Sequence, residues 1–123
     1  MEMLKLAIIA ISILSWVIIE AYKDAELLNN KQYFASHTSR LASRCSVGII
    51  VAVSFNPWLG AFTGLLFWAL FDILLNIFRK GIEWNYIGSV ANTDKYFKGR
   101  KNLYWLSKLL AFIIAMMIII IQH

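Results

Sequence analysis

The chain has 123 residues, a length that fits one domain. Its residues are 60% hydrophobic and 15% charged, and a soluble domain of this size could not bury so much apolar surface. The formal net charge of +5 does not indicate nucleic-acid binding. The basic residues bracket long apolar runs, whereas a nucleic-acid-binding protein clusters them on one solvent-exposed face. The pattern predicts an all-α polytopic integral membrane protein with four transmembrane helices, in contact with membrane lipids and with anionic headgroups at its cytoplasmic face.

The first apolar segment predicts a membrane-spanning helix over about residues 4–22, because a bilayer core needs about 20 helical residues. The segment ends in Glu20 and not at a small-residue cleavage site, so a retained helix is expected and not a signal peptide. The first polar loop, residues 23–35, contains neither Gly nor Pro. The first helix is therefore expected to continue beyond the membrane surface.

The second and third spans are predicted over residues 36–55 and 58–78. Between them stands Asn56-Pro57, a sequence typical of a turn. The uninterrupted apolar run 45–55 would cover only about 16 Å as a helix, which is too short to cross a bilayer. The second span is long enough only if it also includes the residues before this run, some of which are ionisable. Because the connection is so short, the two spans are expected to form an antiparallel hairpin.

The fourth span is predicted over residues 103–121, after a second polar loop at 79–101. Lys108 lies inside this span, where a long side chain can snorkel to the headgroups. Of the twelve Lys and Arg residues, all except Lys5 lie on one side of the apolar segments. The positive-inside rule therefore predicts that both charged loops face the cytoplasm and both termini face outward, in a cell (inner) membrane.

A set of polar side chains is predicted to lie at one depth inside the membrane, on three helices. Counting 1.5 Å per residue from the turn puts Arg44, Arg40 and Asp72 at about 18, 24 and 22 Å. The spacing of the members is i, i+4 in the first span, i, i+3, i+7 in the second and i, i+4, i+7 in the third, and each of these keeps them on one helix face. The predicted intramembrane cluster is Glu20, Asp24, His37, Arg40, Arg44, Asp72, Asn76 and Arg79.

This cluster has a structural and a functional interpretation. In the structural one, polar side chains neutralise one another between helices. The expected pairs are Asp72 with Arg40 or Arg44, Glu20 or Asp24 with Arg79, and His37 with Asn76. In the functional one, the side chains form a pocket open to the cytoplasm that binds a divalent metal or transfers protons, or they line a pore. The candidate metal ligands are Asp24, His37, Asp72 and Asp94.

The second loop contains three further candidates, Trp84, Tyr86 and Asp94. A surface loop anchored by aromatic residues at the headgroups would explain them. Alternatively, the loop is a lid over the cluster, to which Asp94 adds a carboxylate.

No catalytic motif of a common family occurs in the chain, and no cofactor is predicted. The leading hypothesis is a non-enzymatic homo-oligomeric component or subunit, with a polar ligand or ion site at its cytoplasmic face. The pattern Gly60-x-x-x-Gly64 mildly favours helix association. The alternatives are an oligomeric pore or channel, and a membrane-embedded metal-dependent enzyme acting on lipid headgroups.

Overall fold

The computed structural model describes residues 2–29, 37–79, 81 and 101–122, except the side chains of residues 37–41. All regular structure in these ranges is helical, which confirms the all-α prediction. The helices are α1 (Met3–Asn29), α2 (His37–Ser54), α3 (Pro57–Phe78) and α4 (Lys101–Gln122).

Three of these helices, α1, α3 and α4, are long and apolar enough to cross a membrane. The apolar part of α2 is shorter and covers Ala42–Ser54, which is about 20 Å of helix. The described part of the chain therefore has three candidate membrane spans and a shorter apolar fourth helix. The expected extension of the first helix is also present, since α1 continues to Asn29.

Asn56 and Pro57 form the turn between α2 and α3, as the sequence predicts. The Asn56 side chain accepts a hydrogen bond from the Leu59 backbone N–H at 2.9 Å, so Asn56 is the N-cap of α3. Pro57 occupies the first helical position, where its missing N–H removes no helical hydrogen bond. The sequence therefore ends one helix and starts the next within two residues.

α3 is the central helix and packs against α1, α2 and α4. At one end of the bundle the Lys5 ammonium lies 5.9 Å from the Phe55 ring centroid, and Asn56 Nδ2 donates to Gln122 Oε1 at 2.9 Å. We call this the turn end. At the opposite end, the loop end, Asn29 Nδ2 donates to the Phe78 carbonyl at 3.3 Å.

The helices therefore alternate in direction along the chain, with α1 and α3 parallel and α2 and α4 antiparallel to them. The main apolar core lies towards the turn end, where side chains of α1, α3 and α4 meet. Its buried members are Leu6, Ile9, Ile13, Leu59, Phe62, Leu66, Ala115 and Ile118.

α2 and α3 lie close together at Gly60. A Cβ atom built on Gly60 would lie 2.6 Å from the Ala52 Cβ and 2.9 Å from the Gly48 carbonyl oxygen. A Cβ built on Gly64 would meet no described atom within 4 Å. The first glycine of the Gly60-x-x-x-Gly64 pattern is thus used for packing inside the chain, while the second faces outward.

Candidate functional site

Arg44 extends from α2 to the carboxylates of α1. Its Nη2 donates to Asp24 Oδ2 at 2.6 Å, and Glu20 Oε2 lies 3.9 Å from the same nitrogen. Glu20 is also 3.9 Å from the exposed Lys23 ammonium. Asp24 is buried and Arg44 is mostly shielded, and charges in such a position need a close partner because they have lost their water.

Arg44 also contacts aromatic rings of α3. Its guanidinium carbon lies 4.8 Å from the Phe67 centroid and 4.4 Å from the Phe71 centroid. These distances allow a cation–π interaction with both rings. Arg44, Asp24, Glu20, Phe67 and Phe71, which we call the arginine cluster, therefore connect three helices through one guanidinium group.

A second charged cluster joins α3 and α4. Lys108 Nζ lies 3.0 Å from Asp72 Oδ2, donates to the Trp68 carbonyl oxygen, and sits 4.1 Å from the Trp68 ring centroid. The Tyr104 hydroxyl donates to the same Asp72 oxygen. The Lys108 side chain is 5% exposed and that of Asp72 is 32% exposed. Lys108, Asp72, Tyr104 and Trp68 form what we call the lysine cluster.

The predicted pairing of Asp72 with Arg44 is wrong, although the predicted heights agree with the structure. Arg44 lies against Phe71, the residue next to Asp72. Because successive residues of an α-helix are about 100° apart around its axis, Phe71 faces Arg44 of α2 while Asp72 faces Lys108 of α4. Lys108 is correspondingly buried and paired, and does not snorkel outward as the sequence suggested. The other expected partner, Arg40, has its side chain outside the described residues.

Two further predicted cluster members lie near the end of α3. Asn76 is buried, one helical turn beyond Asp72. Arg79 ends the helix, and its backbone N–H donates to the Leu75 carbonyl at 3.1 Å. Both therefore lie at the loop end, the side on which the sequence placed them.

The remaining candidates are not described at side-chain level. α2 begins at His37 and includes Arg40, but both side chains lie outside the described residues, as do the loop candidates Trp84, Tyr86 and Asp94. The lid and the His37–Asn76 contact therefore stay predictions.

Of the four candidate metal ligands, the structure describes Asp24 and Asp72. They belong to different clusters, and each accepts from a different cation. No group of three or more His, Cys, Asp or Glu side chains comes together within the described ranges. The chemistry that these two carboxylates perform in the structure is charge neutralisation between helices.

The lysine cluster was not predicted from the sequence as a unit. A signal for it exists, because Tyr104 and Lys108 are four residues apart, as are Trp68 and Asp72. Residues with this spacing lie on one helix face, so an antiparallel pair can bring all four to one level. The missing information was which face of α3 the fourth helix covers.

Comparison of the chain with protein-family models, with curated proteins and with solved structures finds no match in any of the three. The two charged clusters and the outer surface of the helices are therefore the features from which function can be inferred.

Proposed function

We propose that this protein is a multi-pass integral membrane protein in which all four helices cross the bilayer. The observation that carries this proposal is an outer surface of large apolar side chains on every helix. Ile19, Ile50, Ile77 and Ile120, one from each helix, are all more than half exposed. Water makes such a surface unfavourable, whereas lipid tails solvate it, and helices are suited to lipid because they satisfy their own backbone hydrogen bonds.

The charged side chains inside the bundle support the same proposal. Lys108 and Asp24 are buried, and each has an oppositely charged partner on a different helix. Ionisable groups at membrane depth face the protein interior and pair with one another. We propose that the two clusters hold neighbouring helices together, so that their first role is structural.

We further propose a non-enzymatic role, as a homo-oligomer or as a subunit of a larger membrane assembly. The exposed Ala61 and Gly64 on α3 leave room for a further helix to approach. A polar ligand or ion would be bound at the loop end near Glu20. The Glu20 carboxylate oxygens lie 3.9 Å from Arg44 Nη2 and 3.9 Å from Lys23 Nζ, which is too far for a direct hydrogen bond. Glu20 is thus the least firmly paired carboxylate of the two clusters.

We propose that the loop end faces the cytoplasm, because in the sequence all of the twelve Lys and Arg residues except Lys5 fall on one side of the apolar segments, and Lys5 lies at the turn end. Single cysteines at Lys101 and at Glu2, each in a Cys45→Ser background, form a matched pair for testing this. A membrane-impermeant maleimide should label Glu2→Cys in intact cells and Lys101→Cys only after permeabilisation. The reverse pattern would overturn the orientation, and release of the protein by alkaline carbonate would overturn membrane insertion.

The same preparation separates a scaffold from the two other hypotheses. In liposomes, the non-enzymatic proposal expects no ion flux and no bound divalent metal that depends on His37. Ion flux would favour the pore. Bound metal that is lost in His37→Gln, a variant that keeps one donor and one acceptor, would favour the enzyme.

A further inference from the structure

α1 and α2 are joined by long side chains and not by close helix packing. Both helices pack on α3, but no Cα atom of α1 lies within 8 Å of a Cα atom of α2 in the described ranges. Near the loop end Arg44 crosses the space between them to reach Asp24. At the turn end the Lys5 ammonium lies 5.9 Å from the Phe55 ring centroid. We call the space between these two bridges the α1–α2 cleft.

The lining of the cleft is apolar and only partly covered. Phe67 of α3 lies at its base, with its ring centroid 5.1 Å from that of Trp16 on α1 and 4.8 Å from the Arg44 guanidinium carbon. Val47 and Val51 continue this face of α2 towards the turn end, because they follow Arg44 at i+3 and i+7. All five side chains are partly exposed, and no described side chain of α2 is fully buried. A hydrocarbon chain would cover this surface favourably.

Two charged groups with unused hydrogen-bonding capacity lie next to each other at the loop-end limit of the cleft. The Glu20 carboxylate is 3.9 Å from its nearest described cations, Arg44 and Lys23, too far for a hydrogen bond. Arg44 donates one described hydrogen bond, to Asp24, although a guanidinium has five N–H donors. No described side-chain nitrogen or oxygen is both buried and without a partner. The remaining donors of Arg44 and the oxygens of Glu20 are therefore accessible from outside the bundle.

These groups lie where α1 leaves the apolar part of the bundle. Glu20 is the first charged residue of α1 after Lys5, and the exposed Lys23 and Glu26 follow it within two helical turns. In the proposed bilayer arrangement, headgroups therefore begin at the level of Glu20. The cleft runs from this level towards the turn end, alongside the hydrocarbon chains.

The charges at this end of the cleft favour a ligand that carries both signs. Arg44 and Lys23 balance Glu20 and Asp24, so the four side chains together have no net charge. An anion beside Arg44 would be repelled by Glu20, and a cation beside Glu20 would be repelled by Arg44. A phosphate and an ammonium group joined by an ethylene link would give each of these two side chains its matching partner.

We infer that the α1–α2 cleft binds one phospholipid whose headgroup carries a phosphate and a primary ammonium group, as in phosphatidylethanolamine. The inference rests on the proposed membrane insertion, and it names the polar ligand proposed near Glu20. The phosphate accepts hydrogen bonds from the free donors of Arg44, and the ammonium donates to the Glu20 carboxylate. One acyl chain lies in the cleft against Phe67 and Trp16.

The test is native mass spectrometry of the full chain in a mild detergent. The protein is given an equimolar mixture of phosphatidylethanolamine, phosphatidylcholine and phosphatidylglycerol with identical acyl chains. It should retain one phosphatidylethanolamine per chain, several-fold above phosphatidylcholine, whose quaternary ammonium has no N–H to donate, and above phosphatidylglycerol, which has no cation. Equal retention of the three lipids would overturn the inference.

Glu20→Gln should abolish the preference for phosphatidylethanolamine, because it removes the charge that pairs with the ammonium group. Glu26→Gln is the matched control, since Glu26 is an exposed carboxylate on the same helix, and it should keep the wild-type preference. Because Glu20 makes no described hydrogen bond, its substitution should leave the helical circular dichroism unchanged. A preference that survives Glu20→Gln, or that Glu26→Gln also abolishes, would overturn the inference.

A second pair of variants tests the acyl chain. Val47→Trp fills the cleft and should reduce the retention of all three lipids several-fold. Ile49→Trp adds the same side chain to the exposed outer surface of α2 and should leave retention unchanged. If both variants retain lipid as the wild type does, the acyl chain lies elsewhere and the inference is wrong.

The remaining outcomes separate the lipid site from the proposed function. Protein that resists extraction by alkaline carbonate but shows no lipid preference contradicts only the lipid site, whereas protein released by carbonate contradicts membrane insertion itself. Displacement of the lipid by soluble phosphoethanolamine at the same concentration would show that the headgroup alone is bound. That result would overturn the lipid and leave the polar site near Glu20. A dimer that retains no lipid would show that a second copy fills the cleft, which would also overturn the inference.

Discussion

Replacing Gly60 by alanine should push α2 away from α3. The new Cβ would lie 2.6 Å from the Ala52 Cβ and 2.9 Å from the Gly48 carbonyl oxygen. Neither atom can rotate away, so the helices must separate by about 0.8 Å to restore ordinary contact. Overpacking of this kind costs about 1–3 kcal/mol. Alanine opposes the cost by its higher helix propensity, worth about 1 kcal/mol over glycine.

Gly64→Ala is the matched control, because it gains the same propensity on the same helix and meets no described atom within 4 Å. The difference between the two variants therefore isolates the steric term, and Gly60→Ala should be less stable than Gly64→Ala by about 1–3 kcal/mol. Both can be measured by denaturant titration in one detergent, followed by circular dichroism. Equal stabilities, or a more stable Gly60→Ala, would refute the close approach of α2 to α3.

Two predictions concern the charged clusters. Asp72→Asn leaves the buried Lys108 ammonium without its carboxylate partner. Breaking a fully buried pair costs about 3–5 kcal/mol, and because Asp72 is partly exposed we expect the free energy of unfolding to fall by less than that. The double variant Asp72→Asn/Lys108→Met should recover part of this loss when thermal stability is measured. If the stability losses of the two single variants simply add in the double variant, the ion pair would be contradicted. Asp24→Asn should destabilise more than Glu20→Gln in the same assay, because Arg44 lies 2.6 Å from Asp24 and 3.9 Å from Glu20. Equal losses would contradict this ranking.

The height of a residue along its helix axis could be predicted from the sequence. Which neighbouring helix each face of α3 contacts could not. The Asn56-Pro57 turn fixes the register of α2 against α3, so Arg44 was expected near the height of Asp72 and lies against Phe71. Which neighbour each face meets depends on how the helices are arranged around α3, and a hairpin does not determine that arrangement. The error of one residue, about 100°, was enough to assign Asp72 the wrong partner.

The position of α4 was still less predictable. A predicted loop of residues 79–101 separates α3 from α4, and a connection of that length does not set a register. Lys108 was therefore interpreted on its own as a snorkelling residue, although its partners Trp68 and Asp72 were present in the sequence. In contrast, the continuation of α1 to Asn29 was predictable, because it depends only on the local absence of Gly and Pro.

Spin-label accessibility in liposomes tests most directly whether the helical bundle is embedded in a bilayer. One label at exposed Ile113, in the middle of α4, and one at exposed Lys101, at its start, are compared in a Cys45→Ser background. Oxygen concentrates in lipid and a nickel chelate in water, so Ile113→Cys should be accessible to oxygen and protected from nickel. Lys101→Cys should show the opposite preference. Access of the nickel chelate to both positions would contradict a membrane-embedded bundle.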